Sequence, residues 1–498
     1  MIVYAEREQA ADPRRELENN PDQIRFGQIE AGVADALCPV EDRLHPVLAQ
    51  FRRVAVDFPR GLHELVDLPR VIRVRPPEGF AYYALYPEQY EQAACALRPE
   101  GSVVVCGIRS IGTTLSAIVA RVLDAESITV RPRGHPFERH LRLAEDLRGW
   151  IRQRAGATWI VVDEGPGISG SSFAAVSRAL RELGVRDERI VFFPGWDAPA
   201  DVLRSESAQA EWRSHRRVVI PYLPHLMDEP LQDFSAGQWR DHLHAWPAVQ
   251  PQHERRKFLS QSGRLFKFAG LGRFGDEKLA RARRLREYTP QVEGLRDGFL
   301  ITRFVEGRPL STEDCSRELL QRMASYLGRL RSQFTTSRRS DLSALVNMMR
   351  HNAAIPDLPA FAPAATVAVD GRMLPHEWIR TREGFLKTDA LDHYDDHFFP
   401  GCQDIAWDVA GAIVEFGMSH EQAAEFSELY LAKQQETNWA QRLRFHMLAY
   451  LAYRAGYARM AQESLGGSDD GRRFAELEFY YRERIACLTG ALESSSAS

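Results

Sequence analysis

The chain has 498 residues, 44% hydrophobic and 27% charged, which is the composition of a globular protein with material for two or three domains and argues against global disorder. Sixty-four Lys and Arg against 68 Asp and Glu leave a formal net charge of −4, so no bulk positive charge is present to hold a nucleic-acid backbone. The opening Met1-Ile2-Val3-Tyr4-Ala5-Glu6-Arg7-Glu8 turns charged too early for a secretory signal, no apolar run approaches the ~20 residues of a membrane span, and the six cysteines are scattered without a Cys-x-x-Cys pair. A cytoplasmic protein with no disulfide framework and no membrane or nucleic-acid partner is expected.

In chain order, residues 1–95 read as an N-terminal arm and covering segment, with Asp12-Pro13 and Asn19-Asn20-Pro21-Asp22 as turn signals and a short helix over Glu88 to Leu97. Residues 96–248 alternate between strand and helix. Val103 to Gly107 is a buried-type strand, Leu115 to Leu123 an amphipathic helix, Ile128 to Val130 a strand and Pro136 to Ala155 a helix. Trp159 to Glu164 is a strand ending in two acids, Phe173 to Leu183 a helix, and Ile190 to Phe193 a last strand. This alternation predicts an α/β domain built on a mostly parallel sheet. Pro247 to His253 is the best linker candidate, so residues 249–498 form the next domain, α+β at first and then mainly helical.

The segment Val161-Val162-Asp163-Glu164-Gly165-Pro166-Gly167-Ile168-Ser169-Gly170-Ser171-Ser172 carries chemistry. A strand delivers two carboxylates, and a small-residue loop then opens a helix. Backbone N–H groups and the hydroxyls of Ser169, Ser171 and Ser172 can surround a phosphate, while Gly167 and Gly170 let the backbone come close. Asp163 and Glu164 suit the hydroxyls of a ribose or a Mg2+-associated sugar. The pattern resembles the binding motif of type I phosphoribosyltransferases, with Arg109, Ser110, Gly112 and Thr113 where that family has its pyrophosphate loop. The resemblance covers roughly residues 100–200. It implies phosphoribosyl diphosphate, or another phosphoribosyl metabolite, as ligand. Arg131 and Arg133 would close over the reacting centre.

Four features follow in order beyond residue 255. Lys267 stands inside the apolar strand Leu265-Phe266-Lys267-Phe268, and a buried lysine needs an anionic partner. Asp276 to Tyr288 reads as a helix that offers Glu277 and Glu287 as partners for it. Phe299 to Val305 is a strand leading into Glu306-Gly307. Asp370 to Asp408 holds two acid-bearing loops. The order resembles the aminoglycoside phosphotransferase and choline kinase group of protein-kinase-like folds, over roughly residues 255–460. That resemblance implies ATP as cofactor, with Lys267 on its phosphates and Glu306 at the adenine hinge. It implies Mg2+ on Asp389 and Glu377, Asp370 as the base, and Asp408 as a brace for the catalytic loop. The spacing departs from the family: Glu377 stands in place of an Asn, and Asp370 lies two residues too far upstream of it. His393 and His397 are four apart, as zinc ligands can be, but in this polar loop a surface or substrate-contact role is expected.

A bifunctional enzyme is the primary expectation, joining phosphoribosyl transfer to ATP-dependent phosphorylation of a small-molecule hydroxyl. Two alternatives stay open. One is a metabolite sensor with a phosphoribosyl-binding first half and a degenerate nucleotide-binding second half. The other is a small-molecule kinase with an inert first half.

Overall fold

The computed structural model describes residues 78–496 except 110, 221–229, 244–245, 356–360 and 397. Residues 1–77 of the expected N-terminal arm and covering segment, with Ser110 and His397, therefore lie outside the described residues. The chain divides into two compact units, Met1–Asp228 with Gly270–Gly275, and Glu229–Ala269 with Asp276–Ser498.

The first unit opens with α1 (Glu78–Tyr82) and α2 (Pro87–Leu97), the latter with proline in its first turn, where a missing N–H costs nothing. Then come β1 (Val103–Ile108), α3 (Ile111–Leu123), β2 (Glu126–Val130), β3 (Arg133–His135), β4 (Glu138–His140), α4 (Glu145–Gln153) and β5 (Thr158–Val162). The unit continues with α5 (Ser171–Glu182), β6 (Ile190–Phe193), α6 (Glu206–Ser214) and β7 (Arg216–Arg217). Five strands form one sheet in the order β2-β1-β5-β6-β7, and every pairing in it is parallel.

The middle strands are near-continuous apolar runs because helices cover both faces of such a sheet. Trp159, Ile160, Val161 and Val162 are all buried, and Phe173, Phe192 and Trp212 pack ring against ring at 5.0–5.7 Å. Each such side chain contributes roughly 1.5–3 kcal/mol of burial.

Two expectations need correction here. Residues 136–155 are not one helix. Gly134, at φ +98°, and the following His135-Pro136 start the β3–β4 hairpin, and α4 begins only at Glu145. The helix after β1 begins at Ile111, a turn earlier than its apolar pattern suggests, because Gly112 and Thr113 belong to it.

The second unit begins with β8 (Leu231–Asp233), β9 (Lys257–Ser260) and β10 (Arg264–Phe268). Next are α7 (Arg273–Arg284), which enters this unit at Asp276, β11 (Val292–Arg296) and β12 (Phe299–Arg303). These strands form an antiparallel sheet ordered β11-β12-β10-β9-β8. The expected linker, Pro247 to His253, lies inside the long connection from β8 to β9, within this unit. Its composition suggests a tether, yet Val249 and Gln250 are buried. The Gln250 side-chain amide donates to Ser464 Oγ (3.0 Å), and Arg240 in the same connection pairs with Asp470 at 2.6 Å.

The remainder is mainly helical, as expected: β13 (Arg308–Pro309), α8 (Arg317–Gln333), β14 (Thr335–Arg339), α9 (Leu342–Ala353), β15 (Ala365–Val367), β16 (Trp378–Thr381), β17 (Gly384–Lys387), α10 (Ala406–Glu415), α11 (His420–Leu431), α12 (Trp439–Leu465) and α13 (Asp469–Ser496). Helices α8, α10 and α12 supply most of its core, with Trp407, Tyr450 and Leu451 fully buried. Buried charges in this core are paired. Arg442 makes a bidentate bond to Asp404 (2.5 and 2.7 Å) and reaches Glu436 at 2.8 Å. Among the described residues, no helix is long and apolar enough to cross a membrane.

Candidate functional site

In the first unit the chain runs from β1 to β2 on one side and then returns to β5 on the other side of β1. Loops after β1 and β5 therefore diverge, and a crevice of this kind at the carboxyl ends of parallel strands is where such sheets bind ligands. Both loops singled out from the sequence lie there. Gly112 sits so close to β5 that a Cβ on it would lie 2.4 Å from the Val162 carbonyl oxygen, and its backbone amide faces the Asp163 carboxylate.

Gly170 caps α5 in a left-handed conformation (φ +67°), which glycine adopts without strain. Ser169 and Ser171 share a hydrogen bond of 2.9 Å, and Ser171 Oγ donates to the Pro136 carbonyl (2.5 Å). Gly167 is exposed and Ser172 half-buried. Arg109 turns away from the loop, and its guanidinium donates to Thr129 Oγ1 (2.9 Å) and the Thr129 carbonyl (3.1 Å). Arg131 is half-buried just past β2, and Arg133, also half-buried, begins β3.

The acidic pair is electrostatically strained. Burial pushes Asp163 up to about 7, against the pull of backbone amides and Arg139. Burial first, then Asp163 and Glu78, push Glu164 well above the carboxylate range. Glu164 Oε2 and Thr113 Oγ1 are buried polar atoms with no hydrogen-bond partner. Such atoms are costly unless something else completes them.

In the second unit, alternation along β10 buries Phe266 and Phe268 on one face and turns Lys267 to the other. There Lys267 Nζ lies 2.5 Å from Asp389 Oδ1 and 3.1 Å from Asp392 Oδ1, across 122 residues of sequence for the first contact. Burial alone would raise Asp389, but Lys267 and His393 hold it well below the usual carboxylate range. Arg255, two residues before the first paired position of β9, bonds Asp392 Oδ2 at 2.6 Å.

Asp370 is fully buried. Its Oδ2 accepts Tyr326 OH (2.6 Å), its Oδ1 accepts the Arg372 amide (3.2 Å), and Lys387 Nζ stands 3.3 Å away. Asp408, at the start of α10, accepts the amides of Asp370 (2.7 Å) and Gly371 (2.9 Å). Glu377 lies on a short 3-10 turn before β16 and holds Lys387 Nζ at 2.6 Å. Glu306 is exposed in the loop after β12.

His393 joins the two acid groups. Its Nδ1 is 3.8 Å from Asp370 Oδ1, and its Nε2 is 3.6 Å from Asp389 Oδ2. Burial lowers its pKa, but the neighbouring carboxylates outweigh that and raise it to about 9. Candidate ligand atoms gather within 4.8 Å in two sets, Asp389–Asp392–His393 and Asp370–Glu377–His393. The first set offers two carboxylates to a hard divalent ion, which fits Mg2+. Lysine 267 and Asp389 thus meet, whereas Glu377 and Asp389 fall into different sets.

Sequence reasoning gave no role to Lys387, Asp392, Tyr326 or Arg255. For Lys387 a signal existed: in Gly384-Phe385-Leu386-Lys387 it shares the buried face of its strand with Phe385.

No family model matches the chain, and no curated protein does. Among solved structures, it is similar to a choline/ethanolamine kinase family protein from Mesorhizobium loti, at 15% identity over 53% of this chain and 89% of that one, with a TM-score of 0.37. It is also similar to choline kinase from Cryptosporidium parvum, at 14% identity over 52% of this chain and 98% of that one, TM-score 0.34. A third is aminoglycoside 2'-phosphotransferase-IIIa in its GDP complex, at 14% identity over 49% and 93%, TM-score 0.32.

Proposed function

We propose that the second unit transfers a phosphoryl group from ATP to a hydroxyl of a small molecule. The observation that carries this reading is the meeting of Lys267, on the third strand counted from β8, with Asp389. A fixed cation beside a carboxylate suited to Mg2+ is the pair that phosphoryl transfer requires. Lys267 exchanges its carboxylate partners for phosphate oxygens when nucleotide enters. The divalent ion, when bound to Asp389 and Asp392, offsets phosphate charge. Asp370, buried and already bonded to Tyr326, acts by holding its loop and Lys387 rather than by taking the acceptor's proton. His393, whose pKa the neighbouring carboxylates raise to about 9, bridges Asp370 and Asp389 and would stabilise negative charge there.

The test is ATP turnover against a panel of amino alcohols, amino sugars and aminoglycosides. Lys267→Met and Asp389→Asn should each lower turnover by about 10²–10³-fold with circular dichroism unchanged. Full turnover in Asp389→Asn would discard the assignment.

A second reading concerns the first unit, favoured by the two buried polar atoms without partners at its switch point, Thr113 Oγ1 and Glu164 Oε2. A phosphorylated sugar with its phosphate on the Gly167 to Ser172 loop is the ligand this reading calls for. Phosphoribosyl diphosphate is the ligand to try first. Calorimetry with Gly167→Val, at an exposed position where a Cβ meets no protein atom within 4 Å, should show at least a tenfold weaker affinity, about 1.4 kcal/mol, if the loop is the cradle.

A further inference from the structure

Lys387 is the last residue of β17, and its side chain is fully buried. An ammonium has three protons to donate and nothing to accept with. Here it faces three acceptors: Glu377 Oε2 at 2.6 Å, Asp370 Oδ2 at 3.3 Å, and the Asp389 carbonyl. Those three acceptors face its three protons, so none is left over for a nucleotide. It stands between the two carboxylates that would otherwise gather, with His393, as ligands of one of the two candidate cation groups.

We infer that Lys387 takes the place of one divalent cation, so that this site binds nucleotide with a single metal ion, held by Asp389 and Asp392. The inference rests on the nucleotide-binding reading of the second unit. Protein kinases use two metal ions, one on an Asp after the catalytic loop and one on an Asn within it. In this chain the position of that Asn is taken by Glu377, and a covalently tethered positive charge sits against it. A tethered ammonium supplies one charge rather than two and cannot bridge phosphate oxygens as a metal does. Lys387 is accordingly a positioning residue. It fixes Glu377 and Asp370 and leaves metal–phosphate bridging to the ion on Asp389.

The experiment counts Mn2+ by electron paramagnetic resonance on the full chain, saturated with a non-hydrolysable ATP analogue. Wild-type protein should bind one ion per chain. Asp389→Asn should lose it, and Lys387→Arg should keep it. Lys387→Met uncovers Glu377 and Asp370 and should bind a second ion. The double variant Lys387→Met/Glu377→Gln, which removes the uncompensated carboxylate, should return to one. Two ions in the wild type would overturn the inference and leave the nucleotide reading standing. That result is decisive even if Lys387→Met fails to fold. A count that stays at one in a folded Lys387→Met would also overturn it. No ion and no analogue bound by the wild type would overturn the nucleotide reading itself.

Discussion

At the scale of single residues, burial sets the chemistry of both sites, with opposite results. Lys267 and Asp389 stay charged because each neutralises the other. At Asp163 burial outweighs the pull of Arg139 and the backbone amides, and the carboxyl is pushed up to about 7. The sign of the consequence follows from linkage. A carboxyl whose folded pKa lies above its unfolded value of ~3.9 binds protons more tightly in the folded state. Its contribution to stability is fully present below pH ~4 and is lost as pH rises through about 7. Asp163→Asn should therefore flatten part of the decline in stability between those limits, measured by urea denaturation at pH 4.5, 6 and 7.5. An unchanged pH profile would show that the carboxyl titrates normally. Glu164 and Thr113 add an independent mark, since each keeps one buried oxygen without a partner.

At the scale of elements, both sites depend on contacts that position a loop. In the first unit, α3 approaches the end of β5 through Gly112. A methyl group there would press on the Val162 carbonyl at 2.4 Å. Gly112→Ala should cost about 1–3 kcal/mol by overpacking, read from denaturation midpoints. In the second unit, Asp408 at the head of α10 holds the turn at Asp370 and Gly371 through their amides. Asp408→Ala strips two buried N–H groups of their acceptor, at about 1–3 kcal/mol each, whereas Asp408→Asn keeps one acceptor oxygen and should cost less. Equal losses in the two variants would mean that another group holds the turn. The sequence exposed the elements themselves unevenly. The strands Ile190–Phe193 and Arg264–Phe268 were legible because short apolar or aromatic runs report strand locally. The β3–β4 hairpin was not, because its residues are polar and only partly buried, so no periodic face marks it.

At the scale of the whole molecule, each unit carries its own candidate site, and ligands should report on them separately. Hydrogen exchange with a non-hydrolysable ATP analogue and Mg2+ should slow amides in β10, β12 and residues 387–393. Phosphoribosyl diphosphate should slow those in 111–113 and 163–171. Protection of the same segments by both ligands would refute two separate sites. By itself the sequence determined the class of each unit: alternating strands and helices for the first, a sheet then helices for the second. It also marked the acid-bearing loops and Lys267. These are local signals, carried by periodicity, by turn residues and by a charge set in an apolar run. Tertiary structure decided the rest. It joined Lys267 to Asp389 across the intervening chain, and it drew the proline-rich stretch near residue 250 into the second unit through Arg240, Gln250 and their partners on α12 and α13. It also set Lys387 between Asp370 and Glu377. Those pairings depend on which buried charges come within a few ångströms of one another, and separation along the chain does not encode that distance.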